Sequence, residues 1–128
     1  MFIATEIILY VANQERSKIF YEQLLGLKPV LDVPGMTEFA LSDTCKLGLM
    51  PEQSIAKILL PKTPHPASGN GIPRCELYLY VDNIDEYYST AKQMNATIID
   101  EASVRDWGDK ACYFADPDGH IVAFAQRI

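Results

Sequence analysis

Glu6-Ile7-Ile8-Leu9-Tyr10-Val11 and Glu76-Leu77-Tyr78-Leu79-Tyr80-Val81 spell nearly the same word seventy residues apart. Each copy reads Glu, an apolar residue, a variable residue and then Leu-Tyr-Val, and each runs into an Asn or Asp step, Ala12-Asn13 or Asp82-Asn83. Side chains alternate across a strand, so Ile7, Leu9 and Val11 share one aliphatic face while Glu6, Ile8 and Tyr10 share the other. The second copy sorts the same way, with Leu77, Leu79 and Val81 opposite Glu76, Tyr78 and Tyr80. A wholly aliphatic face suits a strand that lies under a helix. A period near seventy with only two copies indicates two half-modules, not a solenoid.

The segments that follow extend the repeat. Asn13 is placed to cap a helix that carries Phe20, Leu24 and Leu25 and stops at Gly26, a residue suited to the left-handed position past a helix end. In the second copy Asn83 is the expected cap, with Glu86 three residues on completing a capping box. Ile84, Tyr87, Tyr88, Ala91 and Met94 then recur at helical spacing. Three short strands are predicted after each helix: Lys28 to Asp32, Thr37 to Leu41 and Lys46 to Met50, then Thr97 to Asp100, Lys110 to Ala115 and His120 to Gln126. Pro34-Gly35, Ser42-Asp43-Thr44 and Asp116-Pro117-Asp118-Gly119 mark turns. Both halves read βαβββ. The expected fold class is α+β, with module one at 1–51, a crossover at 52–73 and module two at 74–128 in one domain. The crossover is longer than an ordinary connection, and its Ile55-Ala56-Lys57-Ile58-Leu59-Leu60 stretch is too apolar for a plain linker. It reads either as a lid over a ligand or as a strap across the outside.

Composition narrows the partners. The 128 residues suffice for one core without disulfides, and 48% hydrophobic with 22% charged residues is ordinary for a globular chain. A net charge of −6 disfavours nucleic acid and anionic lipid and matches a cationic small molecule. Cys45, Cys75 and Cys112 are odd in number and lack C-x-x-C spacing, so they read as small buried side chains in a reducing compartment, not as a disulfide or zinc framework. No stretch approaches the roughly eighteen apolar residues of a membrane span. Met1 to Glu6 has no basic lead, and the expected location is cytoplasmic.

The two βαβββ units, the Phe20-Tyr21-x-x-Leu24-Leu25-Gly26-Leu27 helix end, and Tyr113-Phe114-Ala115-Asp116-Pro117-Asp118-Gly119-His120 before a last apolar strand together resemble the vicinal oxygen chelate superfamily. That group includes glyoxalase I, extradiol dioxygenases, and fosfomycin- and bleomycin-resistance proteins. The resemblance covers nearly the whole chain and implies mixed, curved sheets forming a partly open, barrel-like cavity, commonly in a homodimer. It also implies, for metal-dependent members, a His on each module-opening strand and a Glu on the closing strand of module two. Here those positions hold Glu6, Glu76 and Ala123, and the matching place in module one falls at Leu49, or at Leu47 if the alignment slips. His120 alternates away from the Ala123 side, and His65 sits in the crossover. Two carboxylates alone make a loose, hydrated site, so no metal and no cofactor are expected.

The candidate ligand-binding residues are Glu6, Glu76, Tyr10, Tyr78, Leu49, Ala123, Arg105 and Trp107; no catalytic residue is assigned. If Glu6 and Glu76 face one space, such a pair must hold a proton or bind a cation, because two close buried carboxylates do not both stay ionised cheaply. The alternative places both at a solvated rim. Leu49 and Ala123 would form a dry floor. Trp107 beside Gly108 either sets an indole at the mouth, with Arg105 anchoring a ligand anion, or clamps a turn. The leading expectation is a metal-free protein binding a small organic ligand, sequestering a toxic or antibiotic compound. The alternative is a glyoxalase-type lyase, and a third reading is a module whose cavity its own side chains fill.

Overall fold

The computed structural model describes residues 1–128. They divide into two compact units, Met1–Glu22 with Gly26–Asn70, and Gln23–Leu25 with Gly71–Ile128. The first unit runs β1 (Thr5–Val11), α1 (Gln14–Leu25), β2 (Leu31–Val33), β3 (Met36–Ser42), β4 (Cys45–Pro51) and α2 (Glu52–Leu59), then a short 3-10 turn, Pro66–Gly69. The second runs β5 (Glu76–Tyr80), α3 (Ile84–Gln93), β6 (Thr97–Val104), β7 (Asp109–Ala115) and β8 (Ile121–Arg127). Each has a four-stranded mixed sheet, ordered β1-β4-β3-β2 or β5-β8-β7-β6. The opening strand lies parallel to the closing one in both, and the remaining pairs are antiparallel. The chain is therefore α+β, with the βαβββ unit written twice.

The aliphatic strand faces are covered as their patterns require. Gln14 of α1 donates to Thr37 Oγ1 at 2.9 Å, which sets α1 on the face carrying Thr37, Phe39, Leu47 and Leu9. Phe39, Leu47, Leu49, Val11 and Tyr21 are fully buried. In the second unit Tyr87 meets Phe124 at 4.8 Å between ring centroids and Tyr88 meets Phe114 at 5.8 Å, so α3 covers the face of Leu77, Val122 and Phe124.

Several local expectations need correction. The second strand of module one is only Leu31–Val33 and starts later than expected, with Val30 N–H donating to Glu38 O at 2.8 Å just ahead of it. The apolar crossover stretch forms α2, docked through Ile55 and Ala56. Only Cys112 is buried; Cys45 is half-buried and Cys75 exposed. Burial pushes the Cys112 thiol up to about 11. The Asp116-Pro117-Asp118-Gly119 turn is held by Asp116 Oδ1, which accepts from the N–H groups of Asp118 and His120, both at 2.9 Å. Gly119 sits at φ +89°, and a Cβ there would lie 2.7 Å from Gly71 O. Only glycine fits that approach.

The two helix starts differ. Asn13 Oδ1 accepts from Arg16 N at 2.9 Å, as expected of a cap. Asn83 makes no side-chain cap bond, and the orphan N–H of Ile84 donates instead to Gln126 Oε1 on β8, at 2.9 Å. Asn13→Ala should therefore cost about 1 kcal/mol in urea unfolding. Asn83→Ala should cost little, and Gln126→Ala should show the loss expected of a cap.

Candidate functional site

Strand register decides which side chains of module one meet on the face away from α1. Glu6 pairs with Lys46, Ile8 with Gly48 and Tyr10 with Met50 along the parallel β1–β4 ladder, and Gly48 pairs in turn with Glu38 on β3. Leu49 pairs with Leu9 and is fully buried on the α1 face. The expectation that Leu49 lines the Glu6 surface is thus corrected: Gly48 takes that place. A Cβ at Gly48 would lie 2.6 Å from Glu6 Oε2, so the missing side chain gives the Glu6 carboxyl room to lie across β4. It meets Glu38 there, and Lys46 Nζ lies 3.0 Å from Glu38 Oε1 and 3.8 Å from Glu6 Oε1. Glu6 Oε2 is buried and no donor reaches it. Burial, then the hydrogen bond and charge of Glu38, raise the Glu6 carboxyl above its ordinary value, with Lys46 opposing. Glu38 is lowered, first by its hydrogen bond with Glu6 and then by Lys46. Tyr10 stands on the same face, 37% exposed.

Module two builds an aromatic surface on the face away from α3. Ala123 pairs with both Tyr78 and Tyr113, and Ala125 pairs with Tyr80 and Ala111. The three alanines are fully buried. Trp107 Nε1–H donates to Tyr78 Oη at 2.9 Å, Tyr78 donates to Asp109 Oδ2 at 2.8 Å, and Tyr80 donates to the same oxygen at 3.1 Å. Asp109 is 5% exposed, whereas Trp107 and Tyr80 are 56% and 53% exposed. A buried acid thus fixes the orientation of two phenols and, through Tyr78, an indole, with Tyr80 and Trp107 open to solvent. Burial, with the nearby Asp109 bond, raises the Tyr78 phenol, against the opposing Trp107 bond. Arg105 is spent on the hairpin: it reaches Asp100 at 2.8 Å and the carbonyls of Glu101 and Ala111, and it stacks over Tyr113 at 5.2 Å. Arg127 is the guanidinium set on Tyr80, 4.4 Å above the ring. Glu76 is exposed, and its charge helps burial raise the Tyr113 phenol.

These donors do not suit the transition metal that the resemblance implies. Glu6 is engaged by Glu38 and Lys46, and neither Gly48 nor Ala123 has a donor side chain. Asp116, Asp118 and His120 each bring a ligand atom within 4.8 Å of the others. The Asp116 oxygens are already committed to the turn and to His120 Nδ1 at 2.8 Å.

A repeated βαβββ unit whose opening and closing strands run parallel defines the class of fold seen in vicinal oxygen chelate proteins. The chain belongs to the Glyoxalase-like domain family, which matches residues 4–128, and so to that superfamily. It is similar in fold to a glyoxalase-related enzyme from Fulvimarina pelagi, at 21% identity and TM-score 0.80 over 97% of this chain and 87% of that one. Lactoylglutathione lyase from Agrobacterium tumefaciens aligns at 24% identity and TM-score 0.72, covering 94% and 90% of the two chains. TnmS3, an antibiotic binding protein from Streptomyces sp. CB03234, aligns at 22% identity and TM-score 0.72, covering 98% and 95%. No curated protein sequence matches the chain.

Sequence reasoning passed over Glu38, Lys46 and Asp109. Gly48 was the available signal, since glycine inside a strand often marks a close approach. Gly48→Ala should destabilise by about 1–3 kcal/mol, because the new methyl has to displace Glu6. The same change in a Glu6→Ala background should cost much less, a coupling that a double-mutant cycle in urea reads directly.

Proposed function

We propose that this chain is a metal-free small-molecule-binding protein of the glyoxalase and bleomycin-resistance type, sequestering a planar organic compound of toxic or antibiotic character. The observation that carries this reading is the Trp107–Tyr78–Asp109–Tyr80 hydrogen-bonded chain. Rings whose orientation is set in advance by a buried carboxylate lose little freedom when a flat ligand stacks on them. Ala123 supplies a dry floor, and Arg105 acts by holding Tyr113 and the hairpin. Glu76, together with the net charge of −6, favours a ligand with positive character, because a cation is attracted both to carboxylates and to aromatic faces. The likeness to an antibiotic binding protein supports the same direction.

We assign the whole chain, 1–128, to one such domain, acting in the cytoplasm as a homodimer. The second reading, a glyoxalase-type lyase, draws support from the family and from the likeness to a lactoylglutathione lyase. That chemistry needs a metal to polarise enediolate oxygens, and the side chains present do not assemble the ligands.

Trp107 is the single tryptophan, so its fluorescence reports the proposed surface without labelling. A screen of planar cationic aromatics should yield compounds that quench Trp107 and raise the melting temperature. Tyr78→Phe should weaken them about tenfold, because the phenol bridges Trp107 to Asp109. Stoichiometric nickel, zinc or iron in the purified protein, with turnover of a glutathione hemithioacetal, would reverse the order of the two readings.

A further inference from the structure

We propose that Glu6, Glu38 and Lys46 form a self-contained, proton-sharing charge set. The two carboxyls hold one proton between them and the Lys46 ammonium balances the remaining charge, so module one supplies from its own side chains the positive charge that the resemblance assigns to a metal ion. This rests on the metal-free reading at module one and is independent of which ligand module two takes.

The geometry carries it. Three strands bring the groups together: Glu6 from β1, Lys46 from β4 and Glu38 from β3, on one sheet face. A single ammonium lies within 3.0 Å of one carboxyl and 3.8 Å of the other. The Glu38 side chain is 13% exposed and that of Glu6 24%. Glu6 Oε2 is shut away from solvent with no fixed donor, in the notch that Gly48 leaves. A carboxylate oxygen in that position is costly unless a proton joins it to its neighbour. Two carboxylates, one ammonium and one proton sum to no net charge. The proton belongs on Glu6, because Glu38 holds the shorter contact to Lys46 and so better tolerates its charge.

The surroundings leave this set alone. On the same face stand Ile8 and Tyr10 of β1, Met50 of β4, and Met36 and Ala40 of β3. Leu31 of β2 pairs with Glu38. Lys46 and Glu38 are the charged groups that act on Glu6. Helix α2, whose charged residues are Glu52 and Lys57, adds no charge to that set. The two acids then depend on pH with opposite signs. Glu6 is raised in the fold, so its contribution is full below its ordinary value of 4.5 and is lost as pH rises through the folded value. Glu38 is lowered, so its contribution is present above 4.5 and is lost as pH falls through the folded value.

The test is a carbon-13 NMR titration of the glutamate side chains in the intact protein, with melting curves of two variants and calorimetric titration with nickel and zinc. Glu6 should titrate above the ordinary range and Glu38 below it. Glu6→Gln keeps a donor for Glu38 and should raise the melting temperature at pH 8 by about 2–4 °C, with no gain at pH 4.5. Glu38→Gln removes the partner of Lys46 and should lower the melting temperature at pH 8. Independent titration of both acids near 4.5, or equal effects of the two variants, overturns this proposal and leaves the metal-free reading standing. Stoichiometric nickel or zinc binding that Glu6→Gln abolishes overturns both. The NMR titration uses the unaltered chain and decides the matter even if a variant fails to fold.

Discussion

The parallel ladder between the first and last strands of each module is the constraint from which the rest follows. A register shift of one residue would carry every side chain of β1 to the opposite face of its sheet. With Glu6 opposite Lys46 and Leu9 opposite Leu49, the aliphatic set lies wholly under α1 and the polar set wholly away from it. The same holds in module two, where Leu77 opposite Val122 and Tyr78 opposite Ala123 separate the α3-covered core from the aromatic face. Burial of the aliphatic set drives folding, and the composition of the other face is what remains free to vary.

That freedom explains how two copies of one backbone unit hold different chemistry. Module one places an acid pair and an ammonium around a glycine notch, and its charges are settled among themselves. In module two a buried aspartate orients rings that stay half open to solvent, with Arg127 stacked on one of them. The first arrangement is closed and the second is available. A closed acid set gives the fold local electrostatic balance, whereas an exposed Trp107 and Tyr80 offer apolar area with fixed polar edges, which is what recognition of a small organic molecule uses.

Much of the architecture was legible in the chain. The repeated Glu-x-x-Leu-Tyr-Val word, the Asn13 cap, the Gly26 stop and the two turn-bounded strand sets led to two βαβββ units, which are observed. Errors came where a long-range partner outcompeted a local one. Gln126 reached Ile84 N across forty-two residues, so Asn83 was not needed as a cap. The crossover stretch found enough buried contact through Ile55 and Ala56 to form a helix. Of the residues singled out in the chain, Tyr78 pairs with Ala123 and takes a hydrogen bond from Trp107 in the β6–β7 turn, while Leu49 lies on the α1 face of its own sheet.

The sequence by itself determined which residues alternate, where the chain turns, and that a duplicated unit with aliphatic strand faces must be covered by helices. These are properties of periods two and 3.6 and of local caps, and they need no partner. Only the tertiary structure decided that Glu6 would meet Glu38 through the gap at Gly48, and that Asp109 would take both tyrosines. Those meetings depend on the register between strands distant in the chain, and register is set by packing across the whole sheet.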